Sequence, residues 1–326
     1  MDRQRIAEQL AHTLDATDYD DLGERYQGKV RDTYRQDGRL LLITSDRISA
    51  FDHVLAQTVP FKGQVLNQTA AYFFNATEDV VPNHVMEVPD PNVTVARACT
   101  PVSIEFVVRG YLAGHAWREY DAGVRTLCGQ PLPDGLRQSE ALPEPIVTPT
   151  TKAETGHDQD VTPEQAVASA EITADEYDQL RDWALALFAR GTEMAAEQGL
   201  ILVDTKYEFG RTADGDFVLI DEVHTPDSSR YYYQDGYEER LEAGTPQEQL
   251  SKEFVREWLM DHDFQGQEGE VMPDLPDDFR VTVAERYIEL YETVTGLTFE
   301  PTAATDPTDR IHKALAQYHE APSTQN

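Results

Sequence analysis

The residues of this chain best suited to chemistry lie in a segment that runs out along one apolar stretch and back along another. Leu200-Ile-Leu-Val-Asp-Thr-Lys-Tyr-Glu208 is apolar and β-branched before it turns charged. Asp214-Gly215 is a tight-turn signal, and Phe217-Val-Leu-Ile-Asp221-Glu222 returns. A hairpin symmetric about that turn pairs Ala213 with Asp216 and sets Glu208 directly opposite Asp221. Like charges in that position destabilise a sheet, so two anions there call for a cation between them. Oxygen-only ligands on adjacent strands suit Mg2+, which takes one or two carboxylates and completes its shell with water and phosphate. A three-residue loop with a bulge would shift the register and break the pairing. An edge hairpin with solvated acids is the competing reading in so acidic a chain.

Three other segments carry residues of the same kind. Gly23-Glu-Arg-Tyr-Gln-Gly28-Lys29-Val30-Arg31-Asp32-Thr-Tyr34 reads as a glycine-containing hairpin over nucleotide phosphates. Glycine lets backbone amides approach anionic oxygens, and Lys29 and Arg31, two apart on a strand, point the same way. It is neither a P-loop nor GxGxxG, and an ordinary hairpin with solvated cations has the same composition. Thr44-Ser45-Asp46-Arg47-Ile48-Ser49-Ala50-Phe51-Asp52 leaves a buried strand and turns polar, as a substrate loop does and as a plain turn does. Lys62-Gly63-Gln64 then opens a helix, where free amides and a lysine favour an anion. Arg109 ends an apolar strand beside Gly110, and a buried arginine needs a partner that a phosphate or carboxylate would supply. There is no convincing nucleophile triad. His157, His224 and Asp46 are the candidates for a general base, although a lone histidine in a polar loop is more often structural.

These residues need elements to hold them. Residues 4–15 read as a short helix. Tyr26 to Thr44 reads as a hairpin turning at Asp37-Gly38, with Leu40–Thr44 as a buried strand. A helix is expected from about Gln64 to Asn75, a strand over Val102–Val108, and a helix around Trp117–Tyr120. Residues 129–151 are proline-rich and aperiodic, which suggests a linker or a long binding loop. The clearest helix runs from Ala174 to Gln198. Thr173 and Glu176 form its capping box, Tyr177, Leu180, Leu187 and Met194 its apolar stripe, and Gly199 its stop. Acidic helices follow at about Gln249–Asp261, Phe279–Thr293 and Thr308–Tyr318. Strands and helices mix without regular βαβ alternation, so the expected class is a two-lobed α+β enzyme.

Composition narrows the partners. The formal charge is −33, with 60 acidic residues against 27 basic ones, and lysine occurs only at positions 29, 62, 152, 206, 252 and 313. The acids are spread along ordinary apolar segments, which argues for a folded protein suited to a salt-rich cytoplasm rather than a disordered acidic tail. At about 1 M salt the Debye length is roughly 3 Å, and a dense anionic surface no longer repels itself strongly. The absence of a basic face disfavours nucleic acid as a partner, and none is expected. No run is long enough to span a bilayer and there is no apolar leader, so an intracellular setting is expected, with Cys99 and Cys128 as reduced thiols. Nothing in the pattern sets an oligomeric state.

Taken in order, GKVRDTY, SDRISAFD, KGQVLNQ, EFVVRGYLAGHAW, PTTKAETGHD, LVDTKYEFG and LIDEVHTPDSSRYY resemble the phosphoribosylaminoimidazole-succinocarboxamide synthases, ligases of purine biosynthesis. The resemblance runs from about residue 23 to 233. It resumes at Lys252–Leu259 and at Leu275–Leu297, which look like the C-terminal helices of the longer form. It implies a two-lobed α+β fold related to ATP-grasp and kinase-like enzymes, with a nucleotide-binding lobe over 1–104, a second lobe over 105–326, and ATP between them. It also implies an ATP-dependent ligation of a phosphoribosyl aminoimidazole carboxylate to L-aspartate. By position, Gly28, Lys29, Val30 and Arg31 would meet the ATP phosphates, and the strand from Val102 to Glu105 would hold adenine through its backbone. Glu208 and Asp221 would hold Mg2+, with Lys206 beside them. Arg109 and Arg230, with Gly114 and Ser229 nearby, would clamp the ribose 5-phosphate. Asp46, Arg47, Ser49 and Lys62, and Lys152, His157 and Asp158, would line the carboxylate-bearing substrates. His115 stands where many members have serine, so a histidine N–H or a backbone amide would have to replace a hydroxyl there. Two alternatives remain: a kinase-like phosphotransferase, which needs no aspartate, and a nucleotide-binding regulator, which turns nothing over.

Overall fold

The computed structural model describes residues 1–51, 53–152 and 159–320. The chain forms two compact units, each discontinuous in sequence. One comprises Met1–Tyr72, His84–Ala98 and Lys252–Asn326, the other Phe73–Asn83 and Cys99–Ser251. Residues 252–320, expected to go with residues 105–251, therefore belong with the N-terminal unit.

The first unit is built on a five-stranded antiparallel sheet in the order Arg25–Gln27, Arg31–Gln36, Arg39–Thr44, Val93–Arg97, Val85–Asp90. Asp37 and Gly38 both take positive φ, as a two-residue hairpin turn requires, and so place the turn where the sequence set it. Leu41, Ile43, Val93 and Val95 bury one sheet face beneath Ile311 and Leu315 of the last helix, Pro307–Glu320. Arg310 fixes that helix through a bidentate pair to Asp90, at 2.9 and 3.0 Å. A second apolar cluster joins Val65 and Leu66 of the Lys62–Ala76 helix to Val255 and Leu259 of Glu253–Met260 and to Tyr287 and Ile288 of Asp277–Thr295. The first helix is shorter than expected: Arg3–Glu8 continues as a 3-10 turn over Gln9–His12.

The second unit holds a six-stranded antiparallel sheet. Its path is Ala141–Thr151, Thr100–Tyr111, Leu200–Arg211, Ser229–Tyr233, Gln249–Leu250, with Phe217–Ile220 paired to Leu200–Arg211. The proline-rich segment is thus neither linker nor loop at its end. Residues 146–151 pair with 104–109, and on an outer strand the missing proline N–H removes no interior ladder bond. The Ala174–Glu197 helix carries the expected capping box, and Gly199 follows at φ +71°. It packs on one sheet face: Tyr177 meets Phe106, Trp183 meets Phe209, and a Cβ on Gly110 would lie 2.9 Å from Phe188. Cys99 and Cys128 are free and buried, and among the described residues no helix is long and apolar enough to cross a membrane.

Candidate functional site

Side chains alternate across a strand, so the helix-covered face of the second sheet fixes what the other face carries. Thr205, Tyr207 and Phe209 turn towards the core, which leaves Asp204, Lys206 and Glu208 together on the open face. Their partners follow from register. Glu208 lies opposite Glu105, Lys206 opposite Val107, and Asp204 opposite both Arg109 and Arg230. One strand therefore presents an acid–lysine end and an acid–arginine end, separated by four residues or roughly 13 Å.

At the first end Glu105 and Glu208 face one another, an arrangement that would repel without a cation. Lys206 supplies it, with Nζ 2.9 Å from Glu105 Oε1 and 3.1 Å from Glu208 Oε1. Lys152 donates to the other oxygen, Glu208 Oε2. Burial works against the charge on Lys206, but Glu208, Glu105, Asp221 and Glu222 outweigh it and hold its pKa well above the ordinary value. Burial and then the Asp221 charge push the Glu208 carboxyl up to about 7, with Lys206 and Lys152 pulling the other way. Four carboxylates thus converge on one ammonium.

The hairpin register differs from the symmetric expectation. Arg211 pairs with Phe217, and Glu208 pairs with Ile220 rather than Asp221. The cause is the loop: Gly215 N donates to Thr212 O, Thr212 N donates to Asp216 O, and Gly215 sits at φ +96°. That is a three-residue loop with a left-handed glycine, one residue longer than the symmetric turn. Asp221 follows the strand at φ +66°, in a left-handed conformation that asparagine and aspartate adopt more readily than most residues. Its charge still reaches Glu208 and Lys206. The expected pairing is lost, but the proximity is kept.

At the second end Arg109 is buried, donates from Nε to Thr148 Oγ1 at 2.9 Å, and lies 3.5 Å from Asp204. Arg230 Nε is 3.9 Å from the other Asp204 oxygen. Gly114, at φ +54°, backs onto this guanidinium: a Cβ there would lie 2.7 Å from Arg230 Nη2. His115, next on the helix Gly114–Asp121, is bonded through Nε2 to Asp160 at 2.7 Å, which holds the Asp160 carboxyl below its usual range. Ser229 departs from expectation. It is paired with Thr205 on the core side, and its hydroxyl lies 2.7 Å from Thr205 Oγ1. Strand alternation puts the Ser229 and Arg230 side chains on opposite faces.

In the first unit the turn from Gly28 to Arg31 is closed by Gly28 N donating to Arg31 O at 2.8 Å. Lys29 is exposed at its corner rather than on a strand, and Arg31 begins the next strand. Asp46, Arg47 and Lys62 lie in the interior. Asp46 accepts from Leu14 N and Gly63 N, each at 2.8 Å, and burial pushes its carboxyl up to about 6. Arg47 pairs with the buried Asp32 at 2.8 Å, and Lys62, fully buried, lies 5.3 Å from the Tyr287 ring centroid. Ser49 is half-buried in a two-residue strand paired to His53–Val54. Val102 is buried in the second sheet, where Ser103 O accepts from Lys152 N at 3.4 Å. His224 is wholly enclosed by Phe73, Tyr207 and Gly191, and burial lowers its pKa to about 3, so it serves packing rather than proton transfer. His157 and Asp158 lie outside the described residues. Asp204, Thr148, Asp160 and Glu222 were not singled out from sequence. The period-two spacing of Asp204, Lys206 and Glu208 was the available signal for the first.

Among the described residues no group of three or more His, Cys, Asp or Glu side chains is arranged to hold a metal alone. Glu208 and Asp221, a buried carboxyl and the carboxylate whose charge reaches it, nonetheless fit a hard divalent cation that takes one or two carboxylates.

Comparison with known proteins shows the family. The family model "SAICAR synthetase" matches residues 24–273. The phosphoribosylaminoimidazole-succinocarboxamide synthase of Bacteroides thetaiotaomicron is 52% identical over 309 residues, covering 94% of this chain and 98% of the relative. That of Cytophaga hutchinsonii is 55% identical over 290 residues, covering 89% and 93%. Among solved structures, the SAICAR synthase of Saccharomyces cerevisiae complexed with SAICAR superposes with a TM-score of 0.77 at 31% identity, over 89% of this chain and 100% of that one. A SAICAR synthetase in complex with ADP gives 0.65 at 26% identity, over 85% and 100%.

Proposed function

The chain belongs to the SAICAR synthetase family and is an ATP-dependent ligase of purine biosynthesis, condensing 5-amino-1-(5-phosphoribosyl)imidazole-4-carboxylate with L-aspartate; we propose that an acyl phosphate carries the reaction and that the two ends of the 204–208 strand divide its labour. A carboxylate is a poor acyl donor because oxide cannot leave at neutral pH. Transfer of the γ-phosphoryl group onto a carboxylate oxygen makes phosphate the leaving group. The aspartate amine then attacks the acyl carbon, forming the C–N bond as the C–O bond to phosphate breaks.

Phosphoryl transfer asks for positioning and charge neutralisation more than for covalent help. Lys206, kept charged by its carboxylates and partly exposed, is placed to meet transferring phosphate oxygens. Glu208 and Asp221 would hold Mg2+, which would supply neutralising positive charge for the phosphoryl transfer. Lys152 then finds a second role as the cation that balances Glu208. Arg109 and Arg230 converge on the single carboxylate of Asp204, a pairing that leaves net positive charge for the ribose 5-phosphate. His115 joins this end through Asp160 and could donate an N–H in place of a hydroxyl. In the other unit the Gly28–Arg31 turn would receive ATP phosphates. A cytoplasmic setting and adaptation to high salt complete the proposal, the latter on the charge of −33.

The observation that carries these roles is the shared open face of one strand, with Lys206 and Glu208 at one end and Asp204 between two arginines at the other. Measuring ADP release with each component omitted in turn tests it. Release should require the imidazole carboxylate, aspartate and Mg2+ together. A stable phosphorylated product formed without aspartate would instead make the protein a phosphotransferase.

A further inference from the structure

Three consecutive side chains after the Arg39–Thr44 strand all point inward, and each holds a different stretch of backbone. Ser45 Oγ donates to Val30 O at 2.9 Å, and Ser45 N donates to the same oxygen at 2.9 Å. Asp46 gathers the amides of Leu14 and Gly63. Arg47 donates from Nη2 to Gly28 O at 3.1 Å, from Nε to Lys29 O at 3.2 Å, and from Nη1 to Asp15 O. Its charge is balanced by Asp32, 2.8 Å away, whose second oxygen accepts from Thr17 N and Oγ1. Arg47 and Asp32 are 4% and 1% exposed, so no ligand reaches this pair from solvent.

The carbonyls of Gly28, Lys29 and Val30 are therefore all gripped from the buried side. A trans peptide is planar, with C=O and N–H pointing in opposite directions. The amides of Lys29, Val30 and Arg31 consequently turn away from Arg47, towards the side on which the turn is exposed. Successive amides aimed one way form an anion-binding nest. From this we infer that Arg47, with Ser45, is the positioning residue that presents the amides following Gly28, Lys29 and Val30 to the nucleotide phosphates, although it touches no phosphate itself. The inference rests on the reading of that turn as the phosphate site.

Lysine cannot reproduce the fork, because four acceptors spread around a planar guanidinium exceed the three donors of one ammonium. Arg47→Lys should raise the KM for ATP about tenfold and weaken ADP binding in calorimetry to a similar degree. The KM for aspartate should stay unchanged, and kcat at saturating ATP should stay within about twofold. A merely structural role would lower the active fraction, and so kcat, while leaving every KM alone. Ser45→Ala removes one hydroxyl and decides the matter should Arg47→Lys fail to fold: a rise of about threefold in the KM for ATP alone supports the inference. Lys29→Ala separates the two ideas. If it weakens ATP binding while the Arg47 and Ser45 variants do not, the positioning role is overturned. If Lys29→Ala also leaves ATP and ADP binding unchanged, the phosphate reading falls, and the positioning role with it.

Discussion

Glu208 is the residue on which most of the proposed chemistry converges, bonded to Lys206 and Lys152 and crowded by Asp221. Glu208→Gln keeps the shape and removes the charge. Turnover should fall by at least about 100-fold with circular dichroism unchanged, a loss of roughly 3 kcal/mol or more of transition-state stabilisation. Retained Mg2+-dependent turnover would count against the metal assignment. His224 gives a separate prediction for stability. Its folded pKa of about 3 lies below the ordinary 6.5, so the unfolded chain binds more protons between those values and stability falls as pH drops through that window. Asp46 has the opposite sign: its folded value of about 6 lies above 3.8, so it adds stability on acidification from about 6 to 4. The His224 gap is the wider, and a His224→Gln variant should show a shallower fall of melting temperature between pH 6.5 and 4 than the parent. Parallel slopes would show that the histidine is not buried neutral.

At the scale of elements, what positions the site is strand alternation backed by a helix. Gly114 shows how tightly the parts meet. Adding a methyl there meets both a positive φ and the Arg230 guanidinium, so Gly114→Ala should cost about 1 kcal/mol or more and raise the KM for the imidazole substrate selectively, as melting and steady-state kinetics would record. The elements themselves were largely legible. The Thr173–Glu176 box, the Asp37-Gly38 turn and the Leu40–Thr44 strand announce themselves through local chemistry. Direction was not. Composition says that Asp46, Arg47 and Lys62 are charged, but only tertiary packing decides that they turn inward. The same holds for Ser229, whose side of the sheet depends on its pairing with Thr205. One extra loop residue at Thr212–Asp216 moved Asp221 off Glu208, because a hairpin register is set by loop length to the single residue. The prolines between 129 and 151 disguised an outer strand, since propensity argues against proline there and the sheet edge tolerates it.

Across the whole molecule, −33 formal charges on 326 residues make self-repulsion the dominant electrostatic term at low salt. Screening should relieve it. The melting temperature should climb by 10 °C or so, about 2–4 °C per kcal/mol for a chain of this size or larger, between about 0.1 M and 2 M KCl. A flat or falling curve would remove the case for salt adaptation. The same charge shapes binding, because three anionic substrates must approach an anionic protein. The Arg109–Arg230 pair, set against the single carboxylate of Asp204, is a local reversal of that field on the second sheet. High salt would weaken steering to this site while stabilising the fold.

The proposed reaction requires transfer of a phosphoryl group to the imidazole carboxylate before the amide forms. Substrate labelled with 18O at both carboxylate oxygens reports on this directly, with the released phosphate read by mass spectrometry. One labelled oxygen should appear in each phosphate, carried over when the aspartate amine displaces it. Phosphate free of label, released together with the succinocarboxamide, would contradict the acyl phosphate and the roles given to Lys206, Glu208 and Asp221.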